Sequence, residues 1–133
     1  MLPSRRLLAL ALLPALAAPA LADDDFIGFY QGINTETGSL SSLSIVESGN
    51  GFSIAAHATV FGDCEGSDKT ATLTADGTMA RDVLKRSNGQ LRCVATGTTA
   101  TVADGDYILS DDEEIVTLRV PGRPDLHYHR LSD

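Results

Sequence analysis

Phe52-Ser53-Ile54-Ala55-Ala56-His57-Ala58-Thr59-Val60 sets the architecture of this chain. Phe52, Ile54, Ala56, Ala58 and Val60 occupy every second position, with Ser53, His57 and Thr59 between them. That is the period of a strand that buries one face and wets the other. Nowhere from Asp23 to Asp133 does an apolar stripe hold the 3.6-residue period of a helix, so the chain is expected to be all-β.

Downstream, Ala71, Leu73 and Ala75 alternate with Thr70, Thr72 and Thr74 and run into Asp76-Gly77, a two-residue hairpin signal that recurs at Asn88-Gly89 and Asp104-Gly105. Three such signals predict an antiparallel meander of hairpins. A turn at Asp76-Gly77 sets Leu73 opposite Ala80, and one at Asn88-Gly89 sets Leu84 opposite Cys93. The inward face then holds Ala71, Leu73, Ala75, Ala80, Leu84, Leu91, Cys93 and Ala95, while Arg81, Lys85 and Arg92 meet water. Its small residues suit a small barrel or a strongly curved sheet. Further strands are expected over 26–31, 40–47, 98–103, 107–110, 115–120 and 126–131. Gly97 leaves 90–103 readable as one bent strand or two.

Ahead of this domain, Met1 to Ala22 reads as a secretory signal peptide: Arg5 and Arg6, an apolar run from Leu7 to Leu16, and small residues in Ala20-Leu21-Ala22. The run is short for a bilayer span and broken by Pro14 and Pro19. Cleavage before Asp23 predicts a single domain over 23–133 in the bacterial periplasm, with no membrane anchor. Cys64 and Cys93, an even pair in an oxidising compartment, are expected to form one structural disulfide. The formal net charge is −8 and becomes more negative without Arg5 and Arg6, which makes nucleic acid and anionic membrane surfaces poor partners.

Gly28-Phe29-Tyr30 near the start and Arg130 near the end resemble the signature of lipocalin-like (calycin-type) small barrels, a group that includes lipocalins, avidins and bacterial metalloprotease inhibitors. The resemblance implies that Gly28, Tyr30 and Arg130 close one barrel end, the arginine packing on the ring. It also implies, by analogy with the protease inhibitors, that Asp23-Asp24-Asp25-Phe26 could enter a target's cleft. The chain departs from the pattern in carrying Tyr30 where tryptophan is usual. With 4 Phe, 3 Tyr and no Trp, it has few aromatics to line a large apolar cavity.

Catalytic chemistry finds no motif: there is no Gly-x-Ser-x-Gly elbow, and His57, His127 and His129 suggest no triad. His127 and His129 share a strand face and could present two imidazoles to zinc or copper, although polar surface is the simpler reading. The carboxylates gather at Asp23, Asp24 and Asp25; at Asp63, Glu65 and Asp68; at Asp104 and Asp106; and at Asp111, Asp112, Glu113 and Glu114. Ca²⁺ or a lanthanide takes about six to eight oxygen ligands, so a site would need loops from one barrel end to pool them. If 90–103 is one strand, the Asp111 turn joins the Cys64 loop; if two, it joins the N-terminus. The resulting expectation is a secreted, non-catalytic binding or inhibitor protein for a protein or small ligand, requiring no cofactor. The alternative is a periplasmic hard-cation protein, a monomer or a metal-dependent dimer.

Overall fold

The computed structural model describes residues 25–34 and 37–132; the leader, Asp23 and Asp24 lie outside them. Among the described residues, nine antiparallel strands follow one another: β1 (Gly28–Ile33), β2 (Leu40–Ser48), β3 (Gly51–Ala58), β4 (Ala71–Ala80), β5 (Val83–Cys93), β6 (Thr99–Thr101), β7 (Gly105–Leu109), β8 (Ile115–Arg119) and β9 (Leu126–Ser132). Each strand from β1 to β5 pairs with the next, β7 to β9 do likewise, and β9 returns to β1. The result is an eight-stranded barrel closed on itself. Among the described residues there is no α-helix.

Over 52–60, Phe52, Ile54 and Ala58 are buried, Ala56 and Val60 are half-buried, and Ser53, His57 and Thr59 are exposed; β3 itself ends at Ala58, short of Thr59 and Val60. Around them a single core gathers Phe26, Tyr30, Leu43, Ile45, Leu73, Leu84, Tyr107, Val116, Leu118 and Tyr128. A second, smaller cluster surrounds the Cys64–Cys93 disulfide, which ties the β3–β4 loop to the end of β5. Between them, these residues bury one face of every long strand.

None of the three predicted hairpin turns forms. Asp76-Gly77 lies inside β4, and the chain reverses instead at Arg81-Asp82, where Arg81 takes a φ of 61°. Gly77 faces inward, and a Cβ there would stand 3.0 Å from Leu84 Cδ1, 3.1 Å from Ile54 Cδ1 and 3.2 Å from Phe52 Cβ. Its glycine serves a crowded interior rather than a turn. Asn88-Gly89 lies inside β5 as a bulge: Asn88 has a φ of 54°, and the pair stands opposite Ala75 alone, between Thr74↔Gln90 and Asp76↔Ser87.

Consequently Leu84 faces Met79 rather than Cys93, and Ala80 and Ala95 are exposed rather than inward. Leu84, Leu91 and Cys93 nevertheless point inward as expected. A two-residue turn and a one-residue bulge both shift the inside–outside alternation by one, so either places these side chains on the same face.

Asp104-Gly105 is no hairpin either. Residues 90–103 resolve into two strands separated by a turn containing Gly97, and β6 and β7 both pair with β5, at Gln90–Arg92 and Val83–Arg86 respectively. They form one interrupted strand, broken at Val102–Asp104, beside a continuous partner. Val102 N–H still reaches Gly89 O at 3.0 Å across the break. The two-strand outcome places the 110–114 turn at the N-terminal end of the barrel, with the β2–β3 and β4–β5 turns. The Cys64 loop, the 94–98 turn and the β8–β9 turn stand at the other end.

Candidate functional site

At the N-terminal end, Arg130 on β9 lies over the Tyr30 ring, its Cζ 4.9 Å from the centroid. Its guanidinium donates to three backbone carbonyls: Asp25 O at 2.6 Å, Ile27 O at 2.9 Å and Glu113 O at 2.7 Å. The Tyr30 hydroxyl donates to Phe26 O at 2.6 Å. Tyr30 and Arg130 are direct partners across β1 and β9, and Gly28 opens β1 beside them. Together they fasten the entry segment to the 110–114 turn. Phe26 is buried in the core and the Asp25 carbonyl is held, so from Asp25 onward this segment is not free to enter a target's cleft.

Asp25, Glu47, Asp112, Glu113 and Glu114 surround an open cleft of about 710 Å³ at this end, with Arg130 and Ile27. Asp112 Oδ1 accepts from Ser110 Oγ at 2.6 Å and from Glu114 N–H at 3.1 Å, and these bonds hold its carboxyl below the usual range. Asp63, Glu65 and Asp68 belong to the Cys64 loop at the opposite end. There Asp68 Oδ1 accepts from Thr70 N–H at 3.1 Å, and bonding to Thr70 lowers its pKa. The expected pool of acids is therefore divided between the two barrel ends. Asp104 and Asp106 flank Gly105, Asp106 paired with Lys85 at 3.0 Å. Among the described residues, no three His, Cys, Asp or Glu side chains are grouped to hold a metal ion.

His57 on β3 and His127 and His129 on β9 are exposed, and His127 Nδ1 lies 2.9 Å from Thr117 Oγ1. Phe29 and Leu131 border a shallow apolar groove on the outer wall, floored by Ser42, Ser44, Ala55, Thr72 and Thr74.

The disulfide end holds a different kind of space. A cavity of about 310 Å³ opens there between Phe61, Leu73, Val102, Leu118, Val120 and Leu126, with Pro124, Arg123 and Asp63 towards the rim. Arg86 reaches into its lining from β5 and is only 6% exposed. Its Nη2 donates to Ala103 O at 2.7 Å, at the break between β6 and β7. Its Nε is buried and has no hydrogen-bond partner. Both cross-strand neighbours of Arg86 are glycines, Gly77 and Gly105, so no side chain at those positions competes for the interior. Burial pushes the Tyr107 phenol up to about 12, against the opposing pull of the Arg86 guanidinium.

No family model matches this chain, and neither the curated proteins nor the solved structures contain a match.

Arg86 is the residue that the sequence pattern did not single out. The signal was present: Leu84 is an inward residue, and Arg86, two positions on, must share its face unless the strand is irregular between them. The bulge comes only at Asn88.

Proposed function

We propose that this chain is a secreted, non-catalytic binding protein of lipocalin-like type, holding a small ligand in the cavity at the disulfide end. The cavity itself carries the reading: about 310 Å³, partly open, walled mostly by apolar side chains with Thr101, Asp63 and Arg123 among them, and bordered by the buried Arg86. Its volume lies at the lower end of small-molecule sites, near 300 Å³. This agrees with the scarcity of aromatics and favours a compact ligand over a long lipid or pigment.

The closed N-terminal end supports the same assignment, since Arg130 and Tyr30 fasten that end while the opposite one keeps an open mouth. A signal peptide at Met1 to Ala22 and export to the bacterial periplasm belong to this proposal. Cation binding ranks second. Its supporting observation is the convergence of Asp25, Glu47, Asp112, Glu113 and Glu114 on one cleft, where Arg130 already supplies a fixed positive charge.

The test is a methyl-resolved NMR titration of the mature protein with 1-octanol. Shifts centred on Val102, Leu118, Val120 and Leu126 are expected, and Val102→Trp should abolish them by filling the cavity. Shifts confined to Ala55 and Leu131 on the outer groove, or none at millimolar ligand, would remove the proposal.

A further inference from the structure

We infer that the cavity selects an organic monocarboxylate, with its oxyanion on Arg86 and a compact apolar body against Leu118, Val120 and Leu126. This rests on the cavity being the ligand site, and it adds the chemical class of the ligand. Arginine stays protonated at any physiological pH, so Arg86 carries a full positive charge inside the barrel. Buried charges are ordinarily paired, because desolvation is costly and an opposite charge offsets it. The ion pairs Lys85 with Asp106 and Arg119 with Asp125 are both at the surface, and neither includes Arg86.

One carbonyl, Ala103 O, accepts from Nη2, while the buried Nε donates to nothing. The guanidinium borders the cavity and stands against the Tyr107 phenol, with no carboxylate among the described residues paired to it, so a ligand oxyanion reaching its cavity edge would neutralise the charge. The guanidinium fork matches the two oxygens of a carboxylate. Among the described residues lining the cavity, Arg86 is the buried charge and apolar side chains outnumber the polar Thr101, Asp63 and Arg123, so a single negative charge on a largely apolar molecule fits better than a polyanion. Arg123 and Asp63 at the rim roughly cancel. Selection therefore falls to Arg86, against the repulsion of a chain whose formal charge is −8.

Octanoate, 1-octanol and octylamine differ only in the head group, and titrating each into the mature protein ranks them. Octanoate should bind at least tenfold more tightly than 1-octanol, and octylamine should be weakest. Arg86→Met should bring octanoate and 1-octanol to within about twofold, with circular dichroism confirming the fold. If that variant does not fold, the wild-type ranking decides alone. Equal affinity for octanoate and 1-octanol, or a preference that survives in folded Arg86→Met, overturns the inference and leaves the cavity reading standing. Failure of all three to bind overturns both.

Discussion

Tyr30 and Arg130 face each other across the seam where the first strand meets the last, the guanidinium carbon 4.9 Å from the ring centroid. The same arginine holds Asp25, Ile27 and Glu113 through their carbonyls, so one side chain joins three segments. Arg130→Ala should lower stability by about 3 kcal/mol through loss of the ring contact and of charge-assisted hydrogen bonds. Arg130→Lys should recover only a minor part, because an ammonium cannot reproduce the planar fork. Urea denaturation of the three proteins checks the order; equal midpoints would show that the latch is not energetically coupled to the barrel.

Reduction of Cys64–Cys93 should lower the melting temperature by on the order of 10 °C or more. Closing a loop with a sequence separation of 29 restricts the unfolded chain by roughly 3 to 4 kcal/mol. Scanning calorimetry with and without a reductant measures it, and thiol labelling should find neither cysteine reactive beforehand. Since Phe61 and Val102 touch both the disulfide cluster and the cavity, reduction should also weaken octanoate binding.

Alkaline titration probes the interior. Burial raises the Tyr107 phenol to about 12, and burial raises Tyr128 as well. The unfolded chain ionises near the ordinary value of 10.0, so above that pH the unfolded state loses protons that the folded state retains. Stability should therefore be intact below pH 10 and decline from there towards pH 12. Phenolate absorbance from Tyr107 and Tyr128 should lag behind that of free tyrosine, and an ordinary titration of both phenols would contradict their burial.

Calcium or a trivalent lanthanide should leave the melting temperature unchanged at 0.15 M salt. The acids are split between two ends, Asp112 is occupied with its own turn, and Arg130 sits in the cleft that gathers the most carboxylates. Diffuse attraction of that kind is screened by salt, whereas a pooled site would stabilise in proportion to ligand occupancy. A rise that Asp111→Asn with Asp112→Asn abolishes would restore the cation reading.

Alternation made the strands legible: Phe52 to Ala58 and Ala71 to Ala75 could be assigned from sequence because burial on one face imposes a period of two. Irregularities were not legible. Asn88-Gly89 satisfies the local demands of a hairpin turn and of a bulge equally, and the choice is made by partners distant in sequence. Gly77 likewise signals a turn by type, yet its glycine is required by Ile54 and Leu84 across the interior. Arg86 belongs to the same class, since its meaning depends on Gly105 and Ala103 beside it. The Tyr30–Arg130 pair could be expected only because a resemblance placed the chain's two ends together.

That pairing of first and last strands also governs the order of events when the chain folds. Most ladders join neighbours that need little search, whereas the Arg130 contact to Ile27 spans 103 residues. Its closure carries the largest entropic cost and belongs after the transition state. Weakening the seam should accordingly accelerate unfolding and leave refolding nearly unchanged, a partition that stopped-flow kinetics on Arg130→Ala would resolve. The lifetime of the native barrel would then be set by the seam rather than by the core.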